Sequence, residues 1–134
     1  MTIQKIENNL CFGCSPLNPI GLKLQFTEEG EICRSIFTAG SEYQGWPDCV
    51  HGGIISTLLD EVMAQWLWQR DIPAMTAEMT VRFIRPVPTG IPLTLESRNT
   101  GGRGKLYIME GTLQLPDGSI ACRATGKFMQ LDGQ

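Results

Sequence analysis

The chain has 134 residues, of which 42% are hydrophobic and 19% charged, and its formal net charge is −3. This length and composition predict one globular domain with a single sizeable core. The acidic balance argues against a general nucleic-acid binder, which normally carries a basic patch, and no apolar run in the sequence approaches the roughly 20 residues that span a bilayer. The five cysteines are irregularly spaced and the N-terminal MTIQKIENNL lacks the apolar core of a secretory signal, so we expect a cytoplasmic protein without a disulfide framework.

The N-terminal part of the sequence predicts a loop followed by a β-hairpin. Residues 11–21, CFGCSPLNPIG, are dense in Gly, Pro, Asn and Ser, a composition typical of turns and loops. Residues 22–26 then alternate apolar and polar side chains, which predicts a half-buried strand. A polar turn at 28–30 leads to a second alternating strand over residues 32–39, and we expect the two strands to pair.

Residues 48–70 contain the one long helix that the sequence predicts, and the rest of the chain is arranged around it. Their apolar side chains recur at the helical period, and a helix this apolar must be covered by other structure. Two adjacent carboxylates, Asp60 and Glu61, lie on opposite borders of the apolar stripe, since successive residues turn about 100°.

All regular structure after this helix is predicted to be strand. The alternating runs cover residues 75–84, 91–98, 106–115 and 120–129, separated by turns at 85–90, 99–104 and 116–118. A sequence without an alternating helix–strand rhythm does not predict a doubly wound parallel sheet. We therefore predict an α+β fold in which an antiparallel sheet wraps around the single helix.

The predicted helix begins with His51, Gly52 and Gly53, and paired glycines there need a reason, since each costs about 1 kcal/mol relative to alanine. Without side chains, the amides are open to a ligand oxygen, and the helix dipole favours negative charge at that end. This arrangement predicts an oxyanion hole; a plain loop-to-helix junction is the alternative. His51 is a candidate general base, with a structural hydrogen bond as the alternative.

Asp60 follows His51 by nine residues, which corresponds to about 13 Å along the helix axis. Asp60 therefore cannot reach the amides at its own helix start. If both belong to one site, a second copy of the chain must bring them together, so the spacing predicts a dimer with paired sites at its interface. Glu61 is the rival carboxylate, and the helical wheel does not choose between the two.

Two further patterns carry weaker signals. Cys11-x-x-Cys14 is half of a zinc signature, but the chain has one histidine and no second such pair. We therefore predict no closed four-ligand metal site and expect the two cysteines to pack in a loop. The Gly-rich segment 101–105 lacks the spacing of a phosphate loop, although its Arg103 and Lys105 are candidates for holding an anionic ligand group.

The run YQGWPDCVHGGIISTLLDEVM, with NPIGL before it and TVRFIRPVPTG after it, resembles the hotdog-fold acyl-CoA thioesterases of the phenylacetate-pathway type, in the 4-hydroxybenzoyl-CoA thioesterase superfamily. The resemblance extends over residues 11–129. It implies a hotdog fold, an antiparallel sheet wrapped around one long central helix, and assembly as a homodimer or a dimer of dimers. It also implies hydrolysis of an acyl-CoA thioester without a cofactor.

The resemblance assigns roles to individual residues. Asp60 matches the family's carboxylate, which acts as general base on water or as nucleophile toward the thioester carbonyl. The Gly53 amide matches the oxyanion donor, and His51 matches a histidine that orients other groups. Thr76 matches a hydroxyl that holds the attacking water in some members. Gly52 is expected to contact the substrate.

One position departs from the family pattern. Related enzymes often carry Asn six residues before the motif histidine, where this chain has Gly45, and Gln44 is the neighbouring side chain that could supply the amide. Glu61, Arg103 and Lys105 are assigned to substrate binding, the last two near the phosphates of coenzyme A. The departure keeps a second reading open, a non-catalytic acyl-CoA binding protein; a dehydratase or hydratase is the third.

Overall fold

A computed structural model describes residues 10–132 of the chain. Most of the N-terminal segment that was considered above as a secretory signal, residues 1–9, lies outside the described residues. The elements in chain order are β1 (Thr27–Glu29), β2 (Ile32–Thr38), a 3-10 helix (Ser41–Tyr43), α1 (Gly52–Trp68), β3 (Ala74–Phe83), β4 (Pro92–Arg103), β5 (Leu106–Gln114) and β6 (Ile120–Gln130). Across residues 10–132, the helices are too short or too polar to span a membrane.

The strands form one antiparallel sheet around α1. Their order is β1-β2-β4-β5-β6-β3, and every neighbouring pair is antiparallel. The strand that follows the helix, β3, pairs with the last strand, β6, and so lies at the end of the sheet. The predicted α+β hotdog fold is confirmed.

The apolar stripe of α1 forms the centre of the core. Its fully buried side chains are Leu58, Leu59, Val62, Met63 and Leu67, each at most 1% exposed. Burying one leucine in this way stabilises the fold by about 1.5–3 kcal/mol. The helix ends before Asp71, whose φ of 59° belongs to the left-handed region and turns the chain toward β3.

A row of small residues across the sheet lets the helix approach closely. Ser97, Gly111 and Ala124 are register partners on β4, β5 and β6. A methyl group on Gly111 would lie 3.2 Å from Cγ of Met63, tighter than ordinary packing, so the glycine lets the Met63 side chain sit directly against the sheet. The Ser97 hydroxyl donates to the carbonyl of Val62, which satisfies a polar group inside this contact.

The strand predicted over residues 22–26 is wrong. Leu22 and Leu24 are buried, as the alternation requires, but their N–H groups donate to carbonyls of the preceding loop at 2.8 and 2.9 Å rather than to a neighbouring strand. Lys23 has a φ of 55°, which interrupts the extended conformation. The hairpin partner of β2 is therefore the short β1.

The turn predicted over residues 99–104 is also wrong for most of its length. β4 continues to Arg103, with a bulge between Asn99 and Gly101. The Asn99 side chain donates to the Gly101 carbonyl at 2.9 Å and fills the bulge. The strands are thus longer than the polar, Gly-rich composition indicated, and the turn is confined to 104–105.

Candidate active site

The start of α1 is held by the tight loop 44–50. Within this loop the Gly45 N–H donates to the Cys49 carbonyl at 2.9 Å, and the Cys49 N–H donates to the Trp46 carbonyl at 3.0 Å. The His51 N–H donates to Tyr43, which fixes the residue before the helix. His51 has φ −59° and ψ 136°, the extended geometry of a helix N-cap.

His51 caps the helix through its side chain. Its Nδ1 accepts a hydrogen bond from the Gly53 N–H at 2.9 Å, so the neutral ring carries its proton on Nε2. The Gly53 amide, expected from the sequence to be the oxyanion donor, is therefore engaged with the histidine in this conformation. The Gly52 N–H has no acceptor among the described residues, and Gly52 is exposed. It is an exposed amide that is open to a ligand.

A pocket of about 520 Å³ opens beside this amide. It is lined by Gly45, Trp46, Cys49, Val50, His51 and Gly52. A methyl group on Gly45 would lie 3.3 Å from Cα of His51 and 3.5 Å from its Cδ2, so the glycine leaves the histidine ring open to the pocket. Trp46 is 83% exposed and presents its indole at the pocket margin.

Gln44 lies on the same loop with its side chain turned back on it. Its Oε1 accepts from the Asp48 N–H at 3.2 Å, and Asp48 adopts a φ of 64°. Within residues 10–132, Gln44 makes no side-chain bond to His51 or Gly52. The carbonyl end of this amide is thus used locally.

Asp60 and Thr76, two residues expected to share a site, are in direct contact. The Thr76 hydroxyl on β3 donates to Oδ1 of Asp60 on α1 at 2.6 Å. Asp60 is half-buried and Thr76 is exposed, so the pair lies at the surface. Because the hydroxyl's single proton is used in this bond, its lone pairs remain to accept from another donor.

Glu61 points to a different part of the molecule. Its Oε1 accepts from the Cys11 thiol at 3.2 Å. Burial raises the pKa of Glu61, the Cys11 bond opposes that rise, and the neighbouring Asp60 charge adds to it. Burial also raises the pKa of Cys14 to about 12, with further contributions from Cys11 and Glu61. The structure therefore separates the two adjacent carboxylates into different surroundings.

Strand β3 runs alongside the N-terminal half of α1, from Asp60 to Gly52. At its beginning Thr76 contacts Asp60, and at its end the Phe83 ring lies 3.7 Å from where a methyl group on Gly52 would be. The strand thus runs alongside the helix in the opposite direction. Its outer edge pairs with no other described strand.

The two basic residues predicted to bind phosphates lie at the far end of the sheet. Arg103 helps to line a shallow pocket of about 350 Å³ at the β4–β5 turn. Lys105 pairs through Nζ with Asp132 at 2.9 Å, and both side chains are exposed. A ligand at this turn would meet Arg103 directly and would compete with Asp132 for Lys105.

The sequence did not predict the contact of Cys11 and Cys14 with Glu61. The Cys-x-x-Cys spacing was visible, but its partner is 50 residues away from Cys11 along the chain. Only the path of residues 11–24 across the helix brings them together. The sequence likewise could not show whether the Gly52 or the Gly53 amide is open to a ligand, because this depends on the rotamer of the His51 side chain.

Residues 48–121 match the family model of the thioesterase superfamily. The match covers more than half of the chain and includes the helix start, Asp60 and Thr76. The chain belongs to the thioesterase superfamily.

Among curated proteins, the chain is similar to the acyl-coenzyme A thioesterase THEM4 of Rattus norvegicus, at 29% identity over 106 residues. The aligned region is 78% of this chain and 45% of that protein. The corresponding protein of Mus musculus is 28% identical over 99 residues. This chain spans less than half the length of these curated relatives.

Among solved structures, a thioesterase superfamily protein has a TM-score of 0.82 and 28% identity, covering 88% of this chain and 59% of that one. The E. coli PaaI protein from the phenylacetic acid degradation operon has a TM-score of 0.78 and 17% identity, covering 84% and 83%. The second likeness is one of fold. The resemblance to thioesterases of the hotdog fold is confirmed.

Proposed function

We propose that this chain hydrolyses an acyl-CoA thioester to a free acid and coenzyme A, without a cofactor. The observation that carries the proposal is the 2.6 Å hydrogen bond from Thr76 to Asp60 at the edge of the sheet. A carboxylate in this setting can take a proton while the hydroxyl beside it orients a water. The name of the THEM4 relatives, acyl-coenzyme A thioesterase, supports the class of substrate.

In the proposed reaction Asp60 acts as general base. A water molecule donates a hydrogen bond to the Thr76 hydroxyl oxygen. As the water oxygen adds to the thioester carbonyl carbon, the water gives its other proton to Asp60. The carbonyl oxygen becomes an oxyanion. Collapse of this tetrahedral intermediate breaks the carbon–sulfur bond, and the departing coenzyme A thiolate takes the proton from Asp60. Each turnover consumes one water and one thioester and regenerates the Asp60 carboxylate.

The oxyanion needs preorganised hydrogen-bond donors, and the helix start of the same chain is about 13 Å away from Asp60 along the axis. We assign this role to the Gly52 amide of a second copy, aided by the dipole of its helix. His51, held on the Gly53 amide, orients the helix start and takes no proton in this scheme. The hydrolytic site is thus proposed to be shared between two chains.

The outer edge of β3 is the proposed dimer interface. An exposed strand edge is a template for pairing with another chain, and Met75 and Phe83 expose 47% and 53% of their surface there. Antiparallel pairing of two β3 strands about a twofold axis between Met79 and Thr80 sets residue 76 of one chain opposite residue 83 of the other. Since Thr76 touches Asp60 and Phe83 lies beside Gly52, this register brings the two half-sites together.

Substrate binding is proposed to use the pocket at the helix start and the β4–β5 turn. The pocket at the helix start takes the thioester, with Gly52 at its mouth, and Arg103 at the β4–β5 turn is the candidate for a coenzyme A phosphate. The assembly is a homodimer or a dimer of such dimers.

None of the five cysteines forms a disulfide, which suits the reducing cytoplasm that we propose as its location.

Replacing Asp60 tests the function. We expect Asp60→Asn to lower hydrolysis of an acyl-CoA panel by about 10²–10⁴-fold, the usual contribution of a general base. Thr76→Val, which removes a hydrogen bond to a charged group, should lower it by about 10–100-fold. The measurement is thiol release from each acyl-CoA, with melting temperature as the check on folding.

The matched control is Asp71→Asn, an exposed aspartate whose φ of 59° asparagine also tolerates. It should hydrolyse at the wild-type rate. Full activity in Asp60→Asn would remove the carboxylate from the mechanism.

A non-catalytic acyl-CoA binding protein is the second candidate. The observation in its favour is Gly45, which has no side-chain amide to donate to the thioester carbonyl; the neighbouring Gln44 side chain is anchored on its own loop, where its Oε1 accepts from the Asp48 N–H. A binder would raise its melting temperature with acyl-CoA and release no thiol from any member of the panel. An enzyme would release thiol with at least one.

A further inference from the structure

Residues 11–14, the cysteine loop, are held in a fixed shape against the core. The Leu22 N–H donates to the Phe12 carbonyl at 2.8 Å, and the Leu24 N–H donates to the Gly13 carbonyl at 2.9 Å. Leu22 and Leu24 are themselves buried, so these bonds anchor the loop backbone to the packed part of the molecule. The loop is preorganised before any ligand arrives.

The loop lies directly on the side chain of Glu61. The Cys11 sulfur, the Cys14 sulfur and one Glu61 carboxylate oxygen all lie within 4.8 Å of one another. A methyl group on Gly13 would collide with the Glu61 carboxylate, so the glycine is what allows this close approach. All three ligand groups are half-buried, which keeps them accessible to an ion and partly shielded from water.

We propose that Cys11, Cys14 and Glu61 form a binding site for a divalent transition metal, with Zn²⁺ as the expected ion. Two sulfur ligands select against Mg²⁺ and Ca²⁺, which take oxygen ligands, and favour borderline-soft ions. Three protein ligands leave the fourth tetrahedral position to water. This site differs from the closed four-ligand site that the single histidine excludes.

The present distances require only side-chain adjustment to reach coordination. With Zn–S near 2.3 Å, two sulfurs on a tetrahedral ion lie roughly 3.8 Å apart, and the three ligand atoms here already lie within 4.8 Å of one another. Rotation about the side-chain bonds of the two cysteines can supply any remaining adjustment. The bound ion would tie the cysteine loop to α1 at the residue after Asp60, a role that does not depend on the proposed hydrolysis.

Cobalt binding tests the site on the full chain. The reduced, metal-free protein is titrated anaerobically with Co²⁺, whose bonds to thiolates give intense near-ultraviolet charge-transfer bands. We expect these bands to saturate at one Co²⁺ per chain and to vanish when Zn²⁺ is added. Cys11→Ser and Cys14→Ser should lose the bands. Glu61→Gln should weaken binding by more than the roughly 10–100-fold that loss of an outer-shell partner costs.

Cys49→Ser is the matched control, since Cys49 is a half-buried cysteine in the helix-start pocket; its bands should equal those of the wild type. Unchanged bands in Cys14→Ser, or their absence from the reduced wild type, would overturn the site. If a cysteine variant does not fold, X-ray absorption of the zinc-loaded wild type decides: two sulfur neighbours near 2.3 Å support the site, and a shell without sulfur refutes it.

Discussion

At the residue scale, substitution of Gly52 by proline offers a way to remove one backbone N–H at the candidate site. It is the first residue of α1, the position where proline is favoured because its N–H is not needed by the helix. His51 before it has φ −59° and ψ 136°, the conformation that a following proline requires. A side chain there would meet only the Phe83 ring at an ordinary 3.7 Å. Gly52→Pro should therefore fold normally.

We expect Gly52→Pro to lower hydrolysis by about 10²–10³-fold, the effect of losing one oxyanion donor. Gly52→Ala keeps the N–H and should remain within a few-fold of wild type. The measurement is thiol release under saturating acyl-CoA, with circular dichroism and melting temperature for each variant. Wild-type turnover in the proline variant would return the donor role to Gly53, whose amide would then have to exchange His51 for the substrate.

Much of the candidate site could be predicted from the spacing of residues and from the family resemblance together. The helical period placed Asp60 on the helix, and the resemblance assigned Thr76 to the same site; the two are in contact. The engagement of Gly53 by His51 could not be predicted, because a ring rotation decides it. Neither could the burial of Glu61 under the cysteine loop, since sequence spacing carries no information on contacts 50 residues apart.

At the element scale, the burial of α1 and the exposure of β3 have different origins. The helix is predictable because its apolar stripe repeats locally. β3 also alternates, yet seven of its ten residues are exposed in the single chain, as its burial pattern indicates. Its alternation fits a strand with an uncovered edge. The errors at 22–26 and 99–104 both concern whether an extended segment joins a ladder. Residues 22 and 24 bond to the loop at residues 12 and 13, whereas residues 99–103 pair with residues 106–109 across the short β4–β5 turn.

Mixing two inactive variants tests whether β3 joins two half-sites. Asp60→Asn keeps the helix start, and Gly52→Pro keeps the carboxylate. In a heterodimer one of the two shared sites then contains both intact parts. After co-expression with random assortment, we expect roughly a quarter of the wild-type turnover, because half of the dimers are mixed and each has one working site.

The control for this experiment is the sum of the separately purified variants, measured without exchange of subunits. Thiol release at that low sum after co-expression, with mixed dimers verified by mass spectrometry, would place the whole site within one chain. Gel filtration of each variant should give the same assembly mass as the wild type.

At the scale of the whole molecule, two buried thiols make the stability of the fold depend on pH in the alkaline range. Cys33 on β2 and Cys122 on β6 are fully buried. Burial raises the pKa of Cys33 from its ordinary value of 9.0 to about 12, with the negative charge of Glu28 adding to the rise. Burial raises the pKa of Cys122 to about 11, against an opposing backbone bond from Ile84. Both thiols stay protonated in the folded core at pH values where the unfolded chain ionises.

The free energy of unfolding should therefore fall as the pH rises above 9.0, because the native state then holds more protons than the unfolded state. Each thiol contributes a slope of about 1.4 kcal/mol per pH unit, up to its own folded pKa. In urea titrations between pH 9.0 and about 11, the free energy of unfolding of Cys122→Ala should fall less steeply with pH than that of the wild type, by the contribution of one thiol. Val87→Ala, an equally buried change without a thiol, should lower stability at every pH and keep the wild-type slope. Parallel curves for wild type and Cys122→Ala would mean that this thiol already ionises in the folded protein at its ordinary pH.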